Sequence, residues 1–309
     1  GENMMRAKQW FLSVLSLLGC FGLVAASAQA AGSDLKFCLE EDSPPYSYKF
    51  GKKIGGFDYD LSRELAARLG RTFKVQWFET ENDEENIPKL EANALLSARL
   101  CHLIGGYPLI ESALGGAVQG TFRLPDHDGQ KRSERHKLFK LGVVTASVPY
   151  NRAVFAAIIG PGFSGKVNSL DDFAGSRIMA EVATLPGVLL MRHNKGALID
   201  DTSHISPLKN LLKIMDTGKG DITLIGLHRF ERYRFRNPQT KLRFAGYVLP
   251  LGFNLGYAAL NTSKDLLRDV NKALAGMLAD GSLKSFAVKN SMTLMAPQKP
   301  DVMGKLRLP

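Results

Sequence analysis

The sequence predicts an α/β protein with mainly parallel sheets, arranged in two lobes. Three observations carry this reading. Strand-like runs alternate with helix-like runs, the alternation comes in two successive series, and 309 residues suffice for two separate cores. The composition, 45% hydrophobic and 23% charged, is ordinary for a soluble globular chain.

Residues 1–30 are predicted to lie outside the fold. Arg6 and Lys8 give a positive start, residues 10–26 an apolar run, and Ala28-Gln29-Ala30 a small-residue cleavage site. Together these read as a secretory signal peptide. The run is short for a membrane span, and no other segment is long and apolar enough to cross. Leu17-Leu18-Gly19-Cys20 faintly resembles a lipid-attachment box and ranks behind cleavage after Ala30. Gly1-Glu2-Asn3, ahead of Met4, reads as a cloning remnant. Cys20 leaves with the signal peptide. Cys38 and Cys101 remain, and an exported chain suits either one disulfide or two buried thiols. The formal charge of +10 becomes +9 when Glu2, Arg6 and Lys8 are removed. Export argues against a nucleic-acid partner. An acidic protein or membrane surface fits the charge better, with plain solubility as the alternative.

The first series begins with a strand over residues 35–40 (LKFCLE) and a turn at residues 42–46. Gly55-Gly56-Phe57-Asp58-Tyr59-Asp60 leads into a helix that Asp58 or Asp60 can cap, striped by Leu61, Leu65, Ala66 and Leu69 and ended by Gly70. Phe73, Val75 and Trp77 alternate with polar residues as a strand, Ile87 to Leu95 carries helical spacing, and residues 100–105 form a third strand. Residues 123–140 are polar and mostly basic. Val143-Val144 and residues 153–159 read as strands on either side of Pro149-Tyr150.

In the second series, Ser169-Leu170-Asp171-Asp172 starts a short helix and residues 177–181 form a strand. Thr184-Leu185-Pro186 opens a helix, and Ser206 with Pro207 is expected to open another, which Gly218 stops. Residues 222–225 and 253–260 are strands. Residues 265–280 form the clearest helix, with Leu266, Leu267, Val270, Leu274 and Leu278 on one face.

This order resembles the family-3 periplasmic solute-binding proteins, receptors of amino-acid ABC transporters. The residues that carry the likeness are Gly55-Gly56-Phe57-Asp58-Tyr59-Asp60-Leu61 through Leu69-Gly70, Ser169 to Gly175 (SLDDFAG), and Val270-Asn271-Lys272-Ala273-Leu274 with Ala279-Asp280-Gly281-Ser282-Leu283. The resemblance implies a type II fold: two mainly parallel sheets with flanking helices, joined by crossing hinge strands. It implies a first lobe of residues 31–148 and 250–309 and a second lobe of 149–249. It also places the first strand beside the third, which implies a Cys38–Cys101 disulfide.

The family pattern breaks at the ligand. Such receptors clamp an α-carboxylate with arginine in T-x-x-R and an α-amino group with an aspartate closing D-A-x-x-G-D, since a zwitterion leaving water needs both charges paired. Here Arg132-Ser133-Glu134-Arg135 lies too far before the hinge. Gly226 and Leu227 stand where the aspartate belongs, followed by His228-Arg229-Phe230. Ordinary amino acids are therefore not the expected ligand. A subgroup associated with periplasmic quinoprotein (methanol-type) dehydrogenases is similar in its first-strand and third-strand cysteines and in Trp77-Phe78, but carries W-G-P near Gly226. That similarity implies an accessory role beside the dehydrogenase or its cytochrome, with residues 123–140 as the contact segment or simply a solvated loop.

The six histidines form no H-x-x-x-H pair, the two mature cysteines lack zinc-site spacing, and no phosphate or dinucleotide fingerprint occurs. Neither metal, cofactor nor catalytic residue is expected. Loop position in an open α/β sheet selects Tyr46, Tyr107, Tyr150, Arg152, Thr184 and His228 as cleft residues. The expected protein is a periplasmic, monomeric, non-enzymatic binding protein, with a small ligand and an ABC permease as partners, or an accessory protein with an acidic periplasmic partner.

Overall fold

The computed structural model describes residues 33–80 and 88–304. The predicted signal peptide, Cys20 and Ile87 lie outside the described residues. Strand β1 (Asp34–Glu40) is followed by three short strands, β2 (Asp42–Ser43), β3 (Ser47–Phe50) and β4 (Lys53–Gly55), then α1 (Phe57–Arg68), β5 (Thr72–Glu79), α2 (Pro88–Ser97) and β6 (Leu103–Pro108). The basic segment falls among β7 (Gly115–Gly116), β8 (Thr121–Arg123), β9 (Asp126–His127) and β10 (Leu138–Lys140), ahead of β11 (Val143–Ala146) and β12 (Asn151–Ile159). The second series is β13 (Ile178–Glu181), α3 (Leu185–Arg192), β14 (Thr202–Ile205), α4 (Leu211–Asp216), β15 (Ile222–Gly226) and α5 (Leu227–Arg236). Strand β16 (Arg243–Leu260) and helices α6 (Lys264–Ala279) and α7 (Ser282–Lys289) follow.

The main sheet runs β14-β13-β15-β12-β16-β6-β1-β5-β9. It is parallel in two places, where β1 pairs with β5 and β6 and where β13 pairs with β14 and β15. Between them β12 and β16 pair antiparallel with each other, β12 with β15, and β16 with β6. The predicted α/β class and flanking helices hold. The two expected sheets are hydrogen-bonded into one, because β16 is long enough to join both ladders.

Alternation along β1 shows how the first region is layered. Leu35, Phe37 and Leu39 pack with Leu61, Leu65, Val270 and Leu274 of the helices on one side, while Cys38 packs with Leu95, Leu96 and Cys101 on the other. A strand buried on both faces is what a parallel sheet between helices requires. In the second region one core gathers around Met179, Leu211, Met215, Leu227 and Phe230, and another around Phe173, Ile178, Leu190 and Leu224.

Three local expectations change. Neither Asp58 nor Asp60 caps α1: Gly56 precedes it, and the Phe57 and Asp58 N–H groups donate to the carbonyls of Pro45 and Tyr46 at 2.9 and 2.7 Å. A Cβ on Gly56 would come within 2.3 Å of the Tyr46 carbonyl oxygen, so the close approach requires glycine. Helix α4 starts after Asn210, whose side chain accepts from the Lys213 N–H, and Ser206 instead closes a turn with Leu208 and Lys209. On α6 the buried stripe continues through Met277, while Leu278 is 63% exposed. Met277 lies seven residues beyond Val270, on the same face, and Leu278 is one step around the helix.

Residues 291–304 cross the middle of the molecule. The Thr293 N–H donates to Glu231 at 2.6 Å and the Met295 N–H to Asn151 at 3.1 Å. The Asn254 amide donates to the carbonyls of Gln298, Pro300 and Asp301, and Met303 bonds to Leu109 and Glu111.

Cys38 and Cys101 form a disulfide with Cα atoms 5.5 Å apart, closing a sequence separation of 63 residues. Cys101 sits just before β6 rather than within it. Loop-closure entropy for that separation gives a contribution of about 4 kcal/mol. Cys38→Ser or Cys101→Ser is expected to lower the melting temperature by roughly 10 °C, read by thermal denaturation, with intact mass before and after alkylation confirming the bond.

Candidate functional site

A cavity of about 330 Å³ opens where the two core regions meet. Its first wall comes from the carboxyl ends of β1 and β6 (Leu39, Glu40 and residues 104–108), with Asp58 from α1 and Phe78 from β5. Its second wall comes from Leu227 and His228 at the start of α5. The floor is the central strand pair, with Arg152, Ala153 and Val154 of β12 and Phe253 and Leu255 of β16. Thr293 and Met295 of the crossing segment close one side. Ligands of open α/β sheets bind beyond the carboxyl ends of the strands, and this cavity has that position.

Four of the six sequence-predicted residues meet here: Tyr46, Tyr107, Arg152 and His228. Tyr46 is fixed by the backbone contact to Gly56 and donates its hydroxyl to Glu231 of α5 at 2.7 Å. Tyr107 is buried and its hydroxyl donates to the Ala113 carbonyl. Burial pushes its pKa to about 12. The remaining two lie elsewhere. Tyr150 lines a different pocket, with Val148 and Leu274, and its hydroxyl accepts from the Gly106 N–H at 2.6 Å and donates to Asp58 at 2.8 Å. Thr184 lines a separate, smaller pocket with Glu181 and Arg229 and is occupied as the N-cap of α3, accepting from the Gly187 N–H.

The His228 ring is open to the cavity, but protein surrounds it. Desolvation and the charges of Arg229 and Arg232 hold its pKa down at about 4, so the ring is neutral at pH 7. Glu40 is pushed up by burial, with Arg232 opposing. Arg152 is shifted downward by burial alone. Arg132 and Arg135 are exposed, on the segment 123–140, and take no part in the cavity. Among the described residues no group of three or more His, Cys, Asp or Glu could hold a metal.

Sequence reasoning missed Asp58, Glu40, Phe78 and Phe253. Asp58 is 5% exposed and burial raises its pKa from 3.8 to about 7, against the bond from Tyr150. The spacing in Gly56-Phe57-Asp58 carries a signal for a helix start, and nothing in it distinguishes a cap from a buried acid.

Residues 35–95 match the bacterial extracellular solute-binding proteins, family 3. Over 74 residues the chain is 32% identical to the arginine-binding extracellular protein ArtP of Bacillus subtilis (strain 168), a stretch that is 22% of this chain and 29% of that one. The chain thus aligns with less than a third of that relative's length. The L-cystine solute receptor of Neisseria gonorrhoeae, in its unliganded open conformation, superposes with a TM-score of 0.58 at 16% identity, covering 87% of this chain and 97% of that one. The second substrate-binding domain of a putative amino acid ABC transporter from Streptococcus pneumoniae Canada MDR_19A gives 0.59 at 14% identity, covering 83% and 99%. The fold is shared with these proteins over most of the described chain. Among the described residues no helix is long and apolar enough to cross a membrane.

Asp58 binds its proton more tightly in the folded protein than in the unfolded one. The stabilisation is present below the unfolded value of 3.8 and is lost as pH rises through about 7. Relative to Asp58→Asn, the wild type is therefore expected to lose ~1.4 kcal/mol per pH unit across that window and to level off above it. Chemical denaturation of both proteins at a series of pH values measures the difference.

Proposed function

We propose that the chain is an exported, monomeric solute-binding protein with no enzymatic activity, working in the periplasm beside an ABC permease. Its lobes would be residues 31–148 with 250–309, and 149–249. The observation that carries this reading is the cavity itself. It is lined from both core regions and floored by the strand pair that joins them, so a solute there touches every part that hinge motion would move. The family match over residues 35–95 and the shared fold support it.

The ligand is not an ordinary amino acid. An α-ammonium leaving water needs an ionised carboxylate. No acid projects from the end of β15, where Gly226 and the buried Leu227 pass into α5. Of the two carboxyls in the lining, Asp58 is already engaged as the acceptor of the Tyr150 hydroxyl, and burial disfavours the ionised form of both it and Glu40. The accessory role beside a quinoprotein dehydrogenase draws no support from the comparisons and is set aside.

Calorimetric titration with the standard amino acids is expected to show no micromolar binding. Micromolar affinity for any one of them refutes the exclusion while leaving the solute-binding role standing.

A further inference from the structure

Arg152 lines the cavity with only 7% of its surface exposed. The arginines of α5, on the facing wall, are engaged. Arg229 is paired with Glu181, Arg232 and Arg236 with Asp42, and Arg234 donates to the Ser291 carbonyl. Arg152 has no such partner. Among the described residues no carboxylate lies within ion-pair distance, and no acceptor takes a hydrogen bond from its guanidinium. A guanidinium keeps its charge, and this one reaches the open cavity with solvent as its partner in place of a protein acceptor.

A second feature gives the same wall the same sign. Helix α5 begins at the cavity with Leu227 and His228, and its first turn has no side-chain cap. The positive end of the helix dipole therefore lies at this wall, and neutral His228 adds no charge of its own. The rest of the lining is largely apolar, with Phe78, Ile104, Val154, Phe253 and Leu255.

We propose that Arg152 receives the carboxylate of a small, singly charged organic acid whose apolar body lies against Phe78, Ile104 and Phe253. This rests on the solute-binding reading and names its ligand class. Lys89, the other basic side chain of the lining, is held by the Ser112 carbonyl at 2.8 Å, which leaves one free guanidinium for one negative charge. A doubly charged oxyanion would find no second free cation, since Glu40 and Asp58 supply none. The volume, about 330 Å³, suits a small ligand.

The test uses the mature chain, with Arg152→Met, which keeps length and removes charge, and Arg152→Lys, which keeps charge and removes the two-pronged geometry. Thermal melting and calorimetry are run with straight-chain and aromatic monocarboxylates, the matching amines, amino acids with the same side chains, and sulfate. Without ligand, Arg152→Met is expected to melt close to the wild type, since the guanidinium it removes has no protein partner to lose. One or more monocarboxylates should raise the wild-type melt while the matching amines and sulfate do not. Arg152→Met should weaken that binding by at least about tenfold, and Arg152→Lys by less. Equal binding by the Met variant, preference for an amine, amino acid or sulfate, or no shift with any carboxylate overturns the proposal. Where an amine or amino acid does bind, the solute-binding role survives; where nothing in the panel binds, both fail.

Discussion

The antiparallel pairing of β12 with β16 is the contact on which the rest of the molecule depends. It joins two parallel arrangements that would otherwise be separate sheets, and it supplies the cavity floor. The pairing is not regular. Register shifts fall between Val154 and Ala156 and between Ala156 and Ile158. At the first of these Gly252 passes so close that a Cβ would lie 2.2 Å from the Ala153 carbonyl oxygen. Irregular pairing locally increases strand twist. The strands therefore turn between the two regions, and the space between the regions becomes a cavity.

Around that floor, polar groups are committed in a definite order. The Gly106 N–H donates to Tyr150, and Tyr150 to Asp58, which fixes the end of β6 against α1. Tyr46 and the Thr293 N–H both donate to Glu231, which fixes α5 against the turn between β2 and β3 and against the crossing segment. Nearby, Tyr48 meets Phe235 at 5.0 Å between ring centroids, and Asp42 accepts from Arg232 and Arg236. Buried polar groups that are fully bonded hold a unique arrangement. Arg152 stands out because it is outside every one of these networks.

Much of the fold was legible in the sequence because local patterns and packing agree there. The Leu61–Leu65 and Val270–Leu274 spacings, the turn glycines Gly70 and Gly218, and the alternation in β5 each mark an element that the structure contains. The site was only partly legible. Loop position alone brought Tyr46, Tyr107, Arg152 and His228 together. Tyr150 and Thr184 do not line that cavity, because a hydroxyl satisfied by Asp58, or by its own helix, does not differ in sequence from a free one. Helix α5 was missed for another reason. Its residues, LHRFERYRFR, are dominated by charge, and only Leu227, Phe230 and Glu231 are buried. Its arginines are spent on Asp42, Glu181 and the Ser291 carbonyl, partners far away in the chain.

The segment 291–304 bonds to Glu231 and Asn151 at one end and to Leu109 and Glu111 at the other, bridging over the Asn254 side chain. In mechanical terms it would act as a travel stop laid in parallel with the proposed hinge. Rotation about β12 and β16 would carry this segment along or break its anchors in turn. The range of opening would then be set by the slack in a strap as well as by the bending of two strands.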